Sequence, residues 1–234
     1  LGAYCGAVHQ NRPRIILGQD NPLILMPFQH FYRRRLPHFQ HNDATYFVTS
    51  RLFDSLPREV IEKLAVDYEL KKAAIRRTAS SETEYLFLLD EENRRHFGKM
   101  DRCLHQVESG SHFFREPKLA TFFLESALFQ HRKQYEMICQ TVMSNHVHLV
   151  FRVLVGGLPL HKIMGSLKKY TARRCNEQLS RQGAFWQDEN WDRIVRDADE
   201  LERIITYVLE NPVKVGLVND WRDWPFTWLN PDYA

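Results

Sequence analysis

The sequence lacks two features that would place it outside the ordinary globular proteins. No apolar run reaches the roughly eighteen residues of a membrane span, so we expect no membrane partner. Cysteine is scarce, and the four cysteines show neither CxxC nor CxxH spacing: Cys5, Cys103, Cys139 and Cys175. That pattern argues against a zinc ribbon or a disulfide framework, and favours the reducing cytoplasm as the location.

A strong excess of charge of either sign is also missing. The net charge is +3 and the pI is about 8.7, so the chain is only mildly basic. Such a balance permits nucleic-acid binding without requiring it, and any DNA contact must rest on local clusters. With 234 residues, 44% of them hydrophobic, the chain has enough apolar material for a substantial core.

The first thirty residues show no lasting hydrophobic period, and they lack the basic start and apolar core of a secretory signal. We therefore expect residues 1–30 to form an irregular N-terminal segment. The chain begins with Leu1, and Met26 is a candidate natural start. The hypothesis is that the first 25 residues are dispensable for folding and binding.

The most informative stretch runs from Val142 to Phe151 and has the apolar alternation of a strand. Because side chains on a strand alternate between faces, His146 and His148 must point the same way. Two imidazoles about 7 Å apart can share a divalent metal if a third ligand comes from elsewhere. The alternative is that the pair belongs to an ordinary half-exposed polar face.

A second stretch, from Leu160 to Leu179, has the apolar spacing of a helix, and Tyr170 lies at the edge of its stripe. Four cations surround this tyrosine: Lys168, Lys169, Arg173 and Arg174. Nearby positive charge favours the phenolate, which is the nucleophilic form, and would also hold a phosphate. The alternative is a tyrosine that anchors the helix beside a solvated basic surface.

Together these stretches resemble the single-tyrosine HUH transposases, and within them the REP-associated tyrosine transposases. The motifs that carry the resemblance, in chain order, are 34–38, 44–49, 143–148, 168–176, 184–187, 191–197 and 211–218. Each motif is weak alone, but their order and spacing make the match specific. It covers roughly residues 31 to 228.

The order of predicted elements is a strand, a helical region, a hairpin, a helix and a final segment. This order predicts an α+β fold, ferredoxin-like (split βαβ), with an antiparallel sheet, helices on one face and a helical C-terminal extension. The resemblance implies the same fold. In the helical region, residues 90–96 and 97–107 suggest two separate short helices. We expect residues 31–182 to form the HUH core, and residues 183–234 a Trp-rich extension of the same domain.

The resemblance also implies a chemistry, in which His146 and His148 hold Mg²⁺ or Mn²⁺ and Tyr170 attacks the scissile phosphate. The product would be a 5′-phosphotyrosine link that preserves the bond energy for strand rejoining. Relatives commonly supply a third metal ligand, often an amide, four residues after the tyrosine. That position is Arg174 here, which cannot bind a metal. Asn176 and Glu177 are the remaining nearby candidates, and Gln187 is a more distant one.

The implied partner is single-stranded DNA with palindromic hairpins, bound by a monomer or a homodimer. The candidate DNA-binding residues are Arg33, Arg34, Arg35, Lys168, Lys169, Arg173, Arg174, Trp186, Arg193 and Arg196. All five tryptophans follow residue 183, and the alternative to base stacking is that they attach the extension to the sheet.

Two other functions fit the same residues. One is a non-catalytic protein that binds DNA hairpins as a regulator, which the missing amide at position 174 favours. The other is an unrelated metal-dependent nuclease that uses water as its nucleophile.

Overall fold

The computed structural model describes residues 30–33, 37–40 and 43–234, with side chains from residue 43 onward. Strands β1 (His30–Arg33) and β2 (Pro37–Gln40) pair as a small antiparallel sheet. Of the segment 1–30 that was predicted to be irregular, residues 1–29 lie outside the described residues, and His30 begins β1. The predicted DNA-binding residues Arg34 and Arg35 also lie outside the described residues. Arg33 ends β1.

The rest of the chain forms one larger sheet with helices between its strands. The elements are β3 (Thr45–Arg51), α1 (Arg58–Thr78), α2 (Glu82–Gln106), α3 (Pro117–Leu128), β4 (Tyr135–Val142), β5 (His146–Val153), α4 (Leu160–Gln178), β6 (Trp191–Ile194), α5 (Ala198–Leu209), α6 (Asn211–Lys214) and β7 (Thr227–Leu229).

The five strands of this sheet stand in the order β6-β3-β5-β4-β7, and every neighbouring pair is antiparallel. The first four strands give the order of a ferredoxin-like sheet, with β7 added beside β4. The predicted fold class is confirmed. So is the predicted hairpin: Val142 pairs with Val147, and Met143 N–H donates to the His146 carbonyl.

Helices cover both faces of the sheet rather than one. On the first face, α3 and α4 pack over Val147, Leu149 and Phe151 of β5. On the second face, α2 and α5 pack over a smaller apolar cluster that includes Val150 of β5 and Phe47 of β3. The central strands carry apolar side chains on both faces, so each face needs a cover that excludes water.

The helix α2 is one continuous helix where the sequence suggested two short ones. It begins after Ser81, whose side chain accepts a hydrogen bond from the Glu84 N–H, an N-cap arrangement. Its buried side chains, Glu92, Phe97, Asp101 and Leu104, recur at helical spacing along its whole length. Together with α1 it forms a helical hairpin between β3 and α3.

The C-terminal residues contribute directly to the sheet. β6 pairs with β3, β7 pairs with β4, and α5 lies on the second face. The predicted helix from about residue 198 to residue 210 therefore corresponds to α5, Ala198–Leu209. Because this helix and α2 share one face, the C-terminal residues help to enclose what lies there.

Candidate active site

His146 and His148 lie on the second face of β5, under α2. Strand alternation sends both rings to the same side, and their centroids are 4.8 Å apart. Both residues are completely buried, at 0% exposure. The sheet register pairs Thr49 of β3 with His148, so the neighbouring strand also contributes a polar side chain here.

The helix α2 brings two more ligand-type side chains to these rings. Asp101 and His105 are separated by four positions, so they lie on the same side of the helix, one turn apart. Asp101 Oδ1 lies 3.3 Å from His148 Nε2 and 3.7 Å from His146 Nε2. His105 Nδ1 lies 3.7 Å from Asp101 Oδ2. One ligand atom from each of the four residues falls within 4.8 Å of the others.

Three of these inward-facing atoms have no hydrogen-bond partner although they are buried: Asp101 Oδ1, His146 Nε2 and His148 Nε2. Buried polar atoms almost always have a partner, so three unpartnered atoms converging on one point require an explanation. A divalent cation bound at that point would supply it. Three imidazoles and one carboxylate are also a normal donor set for a divalent transition metal.

The outward-facing nitrogen of each ring is held by a polar side chain. His146 Nδ1 lies 2.7 Å from Asn145 Oδ1, and His105 Nε2 lies 2.7 Å from Asn211 Oδ1. An amide oxygen only accepts, so each of these nitrogens carries the proton and donates. The opposite nitrogen then presents a lone pair to the centre of the cluster, as in known metal sites with second hydrogen-bonding shells.

The surroundings of His146 and His105 favour their neutral forms. Burial, and then the charge of His148, hold the pKa of His146 well below its usual value. Burial also lowers the pKa of His105. Burial raises the pKa of Asp101, but the nearby histidines, His148 above all, lower it by more. The net pKa is therefore lowered, and the carboxyl stays ionised. Neutral imidazole and ionised carboxylate are the forms that bind a cation.

Tyr207 of α5 is the tyrosine that joins this cluster. Its hydroxyl donates a hydrogen bond to Asp101 Oδ2, and its ring centroid lies 5.6 Å from that of His148. Burial raises the pKa of the Tyr207 phenol, and the charge of Asp101 raises it further. The apolar side of α5, with Leu201, Ile204 and Val208 buried against the sheet, holds the tyrosine in this position.

Tyr170 lies on the other side of the sheet. The buried residues of α4 belong to the first-face core, together with Val147 and Leu149. Tyr170 is 47% exposed, its ring lies 5.8 Å from that of Phe122, and it lines a pocket between α3 and α4. The structure therefore does not bring Tyr170 to the histidines, because the sheet separates α4 from the face on which both rings lie.

The two predicted third ligands on α4 are also occupied elsewhere. Asn176 donates to the Gly183 carbonyl and accepts a hydrogen bond from Arg181. Glu177 forms exposed ion pairs with Arg174 and Arg173. Neither side chain is part of the cluster around His146 and His148.

Several predicted DNA-binding side chains make contacts within the protein. Trp186 is buried in the first-face core and its Nε1 donates to Thr171 Oγ1. Lys168 Nζ donates to the carbonyls of Gln187 and Asp188. These contacts give Trp186 and Lys168 structural roles in attaching the loop after α4.

Arg193 and Arg196 both pair with Glu200, whose side chain is buried. Trp191 stacks on Phe97 of α2 at a centroid distance of 3.9 Å, which agrees with the alternative that the tryptophans attach the extension. Lys169 of α4 is exposed and stays a candidate for phosphate contact.

Four residues at this site were not predicted from the sequence, although two signals were present: Asp101, His105, Tyr207 and Asn211. Asp101 and His105 have the four-residue spacing that places two side chains on one side of a helix. Tyr207 stands four residues before Asn211, so an amide follows this tyrosine at the spacing that the resemblance requires. The expected amide is missing four residues after Tyr170, where Arg174 stands, but it is present four residues after Tyr207.

The chain is similar to known transposases. Residues 119–211 match the family model described as "Transposase IS200 like". The predicted resemblance to this group of transposases is confirmed. The matched segment contains His146, His148, Tyr207 and Asn211, whereas α1 and α2 precede it.

The chain is also similar to two curated proteins whose names include "REP-associated tyrosine transposase". The chain is 23% identical over 107 residues to a Haemophilus influenzae protein provisionally named a REP-associated tyrosine transposase. It is 24% identical over 102 residues to the REP-associated tyrosine transposase of Escherichia coli K12. These matches cover 42% and 44% of this chain, and 61% and 59% of the lengths of the two relatives.

A solved structure shares the fold. It is titled "Structure of the REP associates tyrosine transposase bound to a REP hairpin", and it matches with a TM-score of 0.50 at 15% sequence identity. The match covers 87% of this chain and 89% of that chain. At this identity the likeness supports the α+β architecture and says nothing about individual site residues.

Within residues 43–234, no helix is both long enough and apolar enough to cross a membrane.

Proposed function

We propose that this protein is a REP-associated type of tyrosine transposase that cleaves and rejoins single-stranded, hairpin-forming DNA with the help of a divalent cation. One observation carries the proposal: Tyr207, Asp101, His146 and His148, drawn from three separate elements, converge on one buried point. The relatives named as REP-associated transposases, and the hairpin-bound structural neighbour, support the choice of DNA substrate.

The residues that would hold the cation are His146 and His148 of β5 and Asp101 and His105 of α2. A divalent cation there would polarise the scissile phosphate and stabilise the charge that develops in the transition state. Asn145, Thr49 and Asn211 hold the three rings in the orientation that this role requires. Mn²⁺ suits imidazole ligands better than Mg²⁺ does.

Tyr207, rather than Tyr170, is the proposed nucleophile. Its Oη atom forms a bond to phosphorus, the bond to the 3′-oxygen breaks, and the products are a 5′-phosphotyrosine and a free 3′-hydroxyl. Asp101 Oδ2 already accepts the hydrogen bond of the phenol, so it orients the attacking oxygen, and the phenolic proton passes to solvent. The leaving 3′-oxygen takes a proton from solvent. The covalent link keeps the energy needed to rejoin the strand.

Cleavage of a hairpin oligonucleotide with a single-stranded flank, analysed on a denaturing gel in Mn²⁺, tests the proposal. The wild-type chain is expected to form a covalent protein–DNA adduct. Tyr207→Phe removes the attacking oxygen and should abolish the adduct, a loss of about 10⁴-fold or more. The matched control, Tyr170→Phe, should keep it. An adduct that survives in Tyr207→Phe and disappears in Tyr170→Phe would refute this assignment.

The same gel separates the two other functions. Cleavage without an adduct that persists in Tyr207→Phe would identify a nuclease that uses water. Hairpin binding by the wild-type chain, with neither cleavage nor adduct in Mn²⁺, would identify a regulator. We also propose that four basic residues contact the DNA hairpin: Arg33, Arg34, Arg35 and Lys169.

A further inference from the structure

The cluster is closed in a way that a phosphate-cleaving site cannot be during catalysis. His146 and His148 are 0% exposed and Asp101 is 4% exposed, because α2 lies directly over them. A catalytic metal site keeps at least one position for substrate, whereas a site with four protein ligands around a tetrahedral cation keeps none. A DNA phosphate therefore reaches this point only if α2 shifts enough to open a position beside the four ligands.

Two of the four ligands come from a part of the chain outside the transposase match. The family model covers residues 119–211, which include His146 and His148 but not Asp101 and His105. Those two residues belong to α2, the second helix of the hairpin formed by α1 and α2. The same helix that covers the histidines thus also supplies ligands to any cation bound beneath it.

We propose that Asp101 and His105 complete a tetrahedral cage for a borderline divalent cation such as Zn²⁺, and that this cation locks α2 over the active site. The proposal rests on the proposed function, because it names a resting state of that site. Three imidazoles and a carboxylate prefer Zn²⁺ to Mg²⁺, and a four-coordinate ion would leave no position for DNA. A six-coordinate ion such as Mn²⁺ would leave two positions, so the two metals should act in opposite directions.

The contacts around the cage explain how such a lock would restrain the nucleophile. Asp101 holds the Tyr207 hydroxyl through Oδ2, and His105 is hydrogen-bonded to Asn211 at the start of α6. One cation would therefore join α2 and β5 directly, and through these hydrogen bonds it would also hold α5 and α6. The tyrosine stays hydrogen-bonded to the cage until α2 moves away.

The visible absorption spectrum of bound Co²⁺ reports the coordination geometry of the site, because the absorption is intense in a tetrahedral site and weak in an octahedral one. The metal-free, full-length chain is titrated with Co²⁺ and then with Zn²⁺. We expect intense bands that one equivalent of Zn²⁺ removes. In His105→Ala the bands should weaken and the affinity for Zn²⁺ should fall at least tenfold. His96→Ala, on the same helix but outside the cluster, should change neither.

A weak octahedral spectrum in the wild-type chain, or an unchanged spectrum and Zn²⁺ affinity in His105→Ala, would overturn the proposal. Hydrogen exchange then tests the lock itself. Zn²⁺ should slow the exchange of amides in residues 97–106 of the wild-type chain and of His96→Ala, but not of His105→Ala. Equal slowing in all three would also overturn it.

These measurements need no cleavage, so the two proposals can fail separately. A tetrahedral site in a chain that forms no adduct in Mn²⁺ would count against the transposase function alone. An adduct in Mn²⁺ without a tetrahedral site would count against the lock alone. Where both hold, added Zn²⁺ should inhibit adduct formation by the wild-type chain.

Discussion

The two faces of the central sheet are each covered by two helices, but they differ in the side chains at their centres. On each face, one of these helices carries a candidate tyrosine: Tyr170 on α4 and Tyr207 on α5. The first face is filled almost entirely with apolar side chains, whereas the second has a polar cluster at its centre. On β5 the difference comes down to neighbouring residues: Val147 and Leu149 pack in one core, and His146 and His148 face the other side. The function of a helix or a tyrosine in this fold is thus decided by the face on which it lies.

The strongest test of this comparison replaces adjacent residues of β5. Leu149→Ala leaves a cavity in the first-face core, and the free energy of unfolding should fall by about 2–5 kcal/mol. A saturating cation should still stabilise this variant. His148→Ala should instead lose most of the stabilisation by a cation, which for a ligand at 100 times its Kd is about 2.7 kcal/mol. Urea unfolding with and without Mn²⁺ measures both effects, and equal metal responses in the two variants would contradict the division.

A second test compares two glutamates. Glu200 is buried on the second face and pairs with Arg193 and Arg196, so Glu200→Gln should cost about 3 kcal/mol in unfolding free energy. Glu177 pairs with Arg174 at the exposed surface, and Glu177→Gln should cause no measurable change in stability. Thermal unfolding checks both. A Tm for Glu200→Gln equal to that of the wild-type chain would contradict the contribution of these ion pairs to stability.

A third test removes one hydroxyl from each face. Thr49 Oγ1 lies 2.7 Å from His148 Nδ1, so Thr49→Val should weaken cation binding by about 10–100-fold. Thr171 Oγ1 accepts the hydrogen bond of Trp186 on the other face, so Thr171→Val should lower stability by about 1–3 kcal/mol and leave cation affinity unchanged. Calorimetric titration with Mn²⁺ and urea unfolding separate these outcomes. A matching loss of affinity in Thr171→Val would mean that the faces are coupled.

The smallest effect concerns pH. Burial lowers the pKa values of His146 and His105 in the folded chain, so the unfolded chain takes up protons first as pH falls. Their contribution to stability is complete above the unfolded value of about 6.5 and is lost below it, by up to about 1.4 kcal/mol per pH unit for each histidine. His105→Gln should flatten the metal-free stability curve below that pH. An unchanged slope would show that His105 is not buried as a neutral ring.

The fold was largely predictable because it follows from local pattern. The alternation in 136–142 and 146–153, with three residues between them, predicts a hairpin. The structure has that hairpin, with Val142 paired to Val147 and one register shift between Met137 and Cys139. The order of elements predicts a split βαβ sheet, and the structure has it. The pattern did not predict that α2 covers the second face. Its residues were interpreted as two short helices, and neither was assigned to a face of the sheet.

The candidate site was only half predictable for the same reason. His146 and His148 share a face whatever the rest of the chain does. Tyr170 was chosen because its helix follows the histidine strand and is rich in cations. Nearness along the chain does not determine the face of a sheet on which a helix packs, and α4 packs opposite the histidines.

The sequence by itself determined that the two histidines point the same way, since the period of a strand is two residues, and that an amide follows Tyr207 at a spacing of four. Only the tertiary structure decided which helices meet those histidines. In sequence these partners are far from the histidines: His105 precedes His146 by 41 positions, and Tyr207 follows it by 61. Contacts over such separations depend on how the apolar faces of the helices pack on the sheet, which local periodicity does not encode.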